Sequence, residues 1–73
     1  MARHDHGHAV FADGHEVEFG WSGWPQDLLP ENDTPATRDE RQVQRLAHAE
    51  RVARNWAGAG YETMEIVRIW LAG

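Results

Sequence analysis

The segment His8–Trp21, HAVFADGHEVEFGW, most narrows what this chain can fold into. It sets Asp13-Gly14 between two stretches that mix apolar and polar residues, the strongest short-range signal for a β-hairpin. A two-residue turn at Asp13-Gly14 predicts a register: Ala12 opposite His15, Val10 opposite Val17, His8 opposite Phe19, with His6 reaching Trp21. Directly opposed residues share a face. Val10, Ala12, Val17, Phe19 and Trp21 then form the expected core face. Ala9, Phe11, Glu16 and Glu18 form the other. Phe11 becomes an aromatic on the wet side, and that marks it as a candidate contact residue.

Residues 22–34 read as a connection. Prolines and glycines run through it and its borders and forbid long regular structure. Trp24, Leu28 and Leu29 are the residues expected to pin it to the core. A helix is expected over 35–57. Thr34-Pro35 offers a cap followed by proline at the first helical position, and Thr37-x-x-Glu40 is a capping-box pattern. On a 3.6-residue period Val43, Leu46, Ala49, Val52, Ala53, Trp56 and Ala57 share one side, with Arg41, Gln44, His48, Arg51 and Asn55 opposite. Glu50 and Arg54 stand at the supporting i,i+4 spacing. Gly58-Ala59-Gly60 ends the helix. Residues 61–71 are rich in β-branched and aromatic side chains and read as a strand. The expected fold is α+β: a small ββαβ domain over 8–73, with a three-stranded antiparallel sheet covered on one face by one long helix. Residues 1–7 are expected to form a flexible, histidine-rich N-terminus.

At 73 residues the chain has room for one small core. It has no cysteine, so no disulfide or thiolate metal site can staple it. A partner, a second copy or a bound ion would supply the missing burial. Its four tryptophans are large apolar groups for so short a chain. Trp21, Trp56 and Trp70 are expected in the core, with Trp24 open to a contact role. The formal charge of −5 argues against a nucleic-acid binder. Without an apolar leader or a bilayer-length apolar stretch, the expected setting is the cytoplasm, with no membrane partner.

Candidate chemistry is sparse. His4, His6 and His8 alternate along an extended segment, so their rings would point one way. Such a row can chelate zinc or another divalent transition metal; a solvated polar tail is the plainer reading, and no cofactor is expected. No cysteine is present and Ser22 is the sole serine, so no nucleophilic constellation stands out. The pair Glu16 and Glu18 lacks the burial that acid–base work needs. Arg41 and Arg51 lie on the polar helix stripe, which could follow phosphates or meet an acidic protein.

The expected function is therefore non-catalytic: a small accessory protein that binds another protein through Phe11, Glu16, Glu18 and Trp24, with Arg41 and Arg51 on the helix. The same surface would also serve a homo-oligomer. Size, acidity and arginine-only basicity fit a phage or mobile-element product. A metal-binding module through the histidines and a nucleic-acid-associated modulator through the arginine face are the alternatives.

Overall fold

The computed structural model describes residues 6–71, with His6 described in its backbone alone. Strands β1 (His6–Phe11) and β2 (Glu16–Gly20) form the hairpin. Two single-turn 3-10 helices, Gln26–Leu28 and Pro30–Asn32, interrupt the connection. Helix α1 spans Arg38–Ala57, and strand β3 spans Ile66–Leu71. The sheet is antiparallel with order β2-β1-β3. The α+β architecture with one long helix on a three-stranded sheet is the one the sequence predicts.

The hairpin register differs from the expected one by a single residue. Val10 pairs with Glu16, Ala9 with Val17 and Gly7 with Phe19. The loop holds three residues, Ala12, Asp13 and Gly14. Gly14 N–H donates to the Phe11 carbonyl at 2.8 Å, and Phe11 N–H donates to the His15 carbonyl at 2.9 Å. This is a four-residue turn, Phe11–Gly14, whose last residue is a glycine at φ +90°. A two-residue turn would need positive φ at Asp13 as well, which is unfavourable for a residue with a Cβ. No non-glycine residue among those described takes positive φ. Asp13 Oδ1 accepts the His15 N–H at 2.9 Å, which fixes the turn from its side chain.

A one-residue slip moves every side chain of a strand to the other face. Phe11 is accordingly core, 1 % exposed, and the expectation of an exposed contact residue is corrected. Gly7, Ala9 and Phe11 of β1 face Val17 and Phe19 of β2 under the helix. A Cβ on Gly7 would stand 2.3 Å from the Phe19 ring and 2.8 Å from Leu71, so the position has no room for one. On the other side of β1, Phe11 pairs with Ile66 and Val10 with Arg68. Val67 is thus an extra residue, a bulge that keeps Ile66 on the core side.

Tyr61 closes the turn end of the core. Its ring meets Phe11 edge-on at 4.9 Å and His15 at 5.0 Å, and its hydroxyl donates to Asp13 Oδ2 at 2.6 Å. The Tyr61 hydroxyl, then the His15 N–H, holds the Asp13 carboxyl below its ordinary value of 3.8. A depressed carboxyl pKa contributes stability above the unfolded value and loses it as pH falls through the folded one. Tyr61→Phe should move the Asp13 titration up toward 3.8 and flatten the acid arm of the stability–pH curve below that pH. An NMR titration of the Asp13 carboxyl carbon checks this; an unchanged pKa would remove Tyr61 as the cause.

Helix α1 begins later than expected. Residues 34–37 make a turn, with Thr37 N–H donating to the Thr34 carbonyl at 3.0 Å. The Thr37 hydroxyl turns back to Thr34 and makes no cap bond to the helix, so neither expected cap forms. Ala49 and Ala53, fully buried, let the helix approach the sheet closely. Val43, Leu46 and Trp56, expected in the core, are 70 %, 40 % and 65 % exposed. The helix is turned so that Arg45 and His48 face the connection instead. Gly58, at φ +99°, ends it as expected.

Candidate interaction surface

The connection explains the helix orientation. Arg45 is 5 % exposed. Its Nε donates to the Leu28 carbonyl at 2.6 Å, and its Nη2 meets Asp33 Oδ1 at 2.7 Å. Trp24 stacks on Phe19 at 6.3 Å and 17°, and meets Trp21 and His48 edge-on at 4.6 and 4.5 Å. Trp24 is therefore a core residue, 7 % exposed, and its expected contact role is corrected. The expectation of core burial is also corrected for Trp56 and Trp70, whereas Trp21 packs against the core. Trp21 is half-buried, while Trp56 and Trp70 are largely exposed, with Trp70 at 47 %. Burial, and then the Arg51 charge, lowers the pKa of His48, so its ring sits neutral against Trp24.

The helix arginines are mostly engaged within the fold. Besides Arg45, Arg54 donates to the Met64 carbonyl at 3.1 Å and lies 3.7 Å from Glu50, the expected i,i+4 pair. Arg41 donates to Gln44 at 3.2 Å. Arg51 is exposed, ten residues from Arg41, or about 15 Å along the axis. Arg41 and Arg51 stand on the helix layer, apart from Glu16 and Glu18, so the structure does not gather these four residues into one site. The helix also offers phosphates fewer unengaged cations than its composition promised.

The helix covers one side of the sheet. The open side carries two cross-strand rows, Glu18–His8–Trp70 and Glu16–Val10–Arg68. Glu16 and Glu18 are exposed there, as the sequence predicts. His8 Nε2 lies 3.3 Å from Glu16 Oε1, diagonally across the strands. That contact gives His8 a partner other than a metal. His4 of the proposed histidine row lies outside the described residues, as does the His6 side chain. Among the described residues no group of three His, Cys, Asp or Glu side chains could hold a metal ion.

The two sheet edges differ in chemistry. The β2 edge presents two glutamates in five residues. The β3 edge reads Ile-Val-Arg-Ile-Trp-Leu and has one charge. Val67 and Trp70 on it are 57 % and 47 % exposed. An open groove of about 530 Å³ runs beside the C-terminal half of β3 and includes Trp21, Arg38, Gln42, Leu46, Ile69 and Leu71 in its lining. Leu46 and Trp70, both exposed, belong to its walls. Charged residues on an edge strand discourage pairing with another chain, whereas an apolar edge invites it. The sequence predicts the strand but does not single out its edge as a contact surface, because Trp70 reads as core; the signal available was the absence of charge along 66–71 apart from Arg68. No helix among the described residues is long and apolar enough to cross a membrane. No protein-family model matches the chain, and neither a curated protein nor a solved structure shows detectable similarity to it.

Proposed function

We propose that this chain is a small non-catalytic accessory protein that binds another protein by accepting an extended segment of it along β3. The observation that carries the reading is the asymmetry of the edges. Glu16 and Glu18 guard β2, while Ile66–Leu71 has sheet partner β1 on one side and no strand on the other among the described elements. In strand addition the backbone bonds give affinity and alternate side chains give specificity. Here the groove beside Leu46 and Leu71 would receive the side chains that point toward the helix. The Arg68–Trp70 side would read those that point away.

Capture from a lysate of the native host tests this, with Val67→Lys as the edge variant. Val67 is exposed, so the fold should tolerate lysine, and lysine on an edge opposes pairing. Glu18→Gln on the far edge is the control. A partner held by the wild type and by Glu18→Gln, and weakened by on the order of tenfold or more in Val67→Lys, is the expected result. A partner held equally by Val67→Lys would overturn the reading.

A further inference from the structure

Resting on that reading, we infer that the β3 edge also pairs with a second copy of this chain. The two strands run antiparallel with Ile69 opposite the partner's Ile69, and the two sheets join into one continuous sheet. Three properties of the strand and the domain favour this register.

The first is symmetry. Two identical strands pair antiparallel about a two-fold axis perpendicular to the sheet, which keeps both helices on the same side. Opposed residues share a face, so the axis must pass through a residue paired with its own copy. Within the regular part of β3 the choices are Arg68, Ile69 and Trp70. Centring on Arg68 sets two like charges directly opposite each other, which is unfavourable. Centring on Trp70 leaves Ile69–Leu71 as the described residues still paired. Centring on Ile69 pairs Arg68 with Trp70 on both sides of the axis and brings Val67, at the bulge, to Leu71, with no like-charge opposition.

The second is chemistry. In the Ile69 register Arg68 lies opposite the partner's Trp70, and the symmetry repeats the contact. Both belong to the open side of the sheet, since they flank Val10 and His8 there. A guanidinium over an indole is a favourable cation–π pair. Trp70 has a contact within its own chain and still presents 47 % of its surface, so it can receive Arg68. Val67 falls opposite the partner's Leu71, beside the groove that Leu46 and Leu71 help to line. The single charge on the edge thus meets its best available partner, and the apolar residues meet one another.

The third is need. A domain of this length buries a smaller fraction of its surface than a larger domain does, and association is a common supplement. Of the five large exposed apolar residues among those described, Val67, Trp70 and Leu46 line or flank this edge, while Val43 and Trp56 stand elsewhere on the helix. The contact is short, so its affinity should be modest, with a dissociation constant on the order of 1–100 µM. A partner that contributes a better strand would then displace the second copy.

Sedimentation equilibrium across that concentration range, together with cysteine crosslinking, tests the inference. The mass should rise from 8.3 kDa to twice that value in the wild type. It should stay at the monomer value in Val67→Lys. The double variant Arg68→Cys/Trp70→Cys should form an intermolecular disulfide under mild oxidation, because opposed positions come within crosslinking reach. Arg68→Cys alone and Trp70→Cys alone, which report the two other registers, should not. A protein still monomeric at about 1 mM, a dimer that survives Val67→Lys, or efficient crosslinking by either single variant would overturn it. A monomer whose host partner is nonetheless lost in Val67→Lys removes the dimer and leaves strand addition standing. A monomeric wild type whose host partner is held equally by Val67→Lys removes both.

Discussion

Phe11→Ala is expected to remove about 3–5 kcal/mol of stability, the usual cost of deleting a buried phenylalanine ring. Phe11 is the one large side chain among the described residues that is less than 2 % exposed. It holds the Tyr61 ring at 4.9 Å and pairs across the sheet with Ile66. A chain of this size has on the order of 4–11 kcal/mol of total stability, so the variant should unfold at a much lower urea concentration or fail to fold at 25 °C. Val10→Ala is the matched comparison. Val10 is half-buried on the open face, between Glu16 and Arg68, and its loss should cost under about 1.5 kcal/mol. The order of the two effects reports the hairpin register directly. Had the turn held two residues, Val10 would be core and Phe11 wet, and Val10→Ala would be the damaging change. Urea unfolding followed by far-ultraviolet circular dichroism measures both; equal midpoints would contradict the observed register.

The same pair of residues shows how far the sequence could be read. The hairpin, the glycine-terminated helix and the third strand each announce themselves locally, through turn residues, a 3.6-residue period and β-branched density. The register does not, because Asp-Gly suits two loops. In one, both residues take positive φ; in the other, glycine alone does, at the end of a turn begun three residues earlier. The deciding cue was present in the side chains. Burying Phe11 while exposing Val10 removes more apolar surface from water than the reverse. The helix face had no such cue. Period alone puts Leu46 and Trp56 with Ala49, and nothing local indicates that Arg45 turns inward to Asp33, twelve residues earlier. Trp24 is hidden from the sequence for the same reason: its partners Phe19 and His48 lie on other elements. Of the expected contact residues, Glu16 and Glu18 stood exposed because alternation along β2 places them, whichever register β1 adopts.

Breaking the Arg45–Asp33 pair should be as damaging as losing Phe11, and for a different reason. The side chains of Arg45 and Asp33 are 6 % and 13 % exposed. Removing one partner leaves the other charged and poorly solvated, and such a loss costs about 3–5 kcal/mol. Arg45→Ala also strips the Leu28 carbonyl of its donor. Asp33→Ala leaves the guanidinium with the Leu28 carbonyl and no counter-charge. The double variant Arg45→Met/Asp33→Ala leaves no charge stranded, and methionine refills part of the space along the helix. It should therefore be more stable than the sum of the single effects predicts, with a coupling of about 1–3 kcal/mol. Urea unfolding of the four proteins closes the cycle. The singles should also loosen the connection that the pair fastens to the helix, so the Trp24 indole resonance should shift and broaden before the hairpin amides lose protection from exchange. Additive singles with an unmoved Trp24 would mean that apolar packing around Trp24, and not the ion pair, fixes the connection and with it the rotation of the helix. In that case Leu46 would owe its place beside the β3 edge to Trp24.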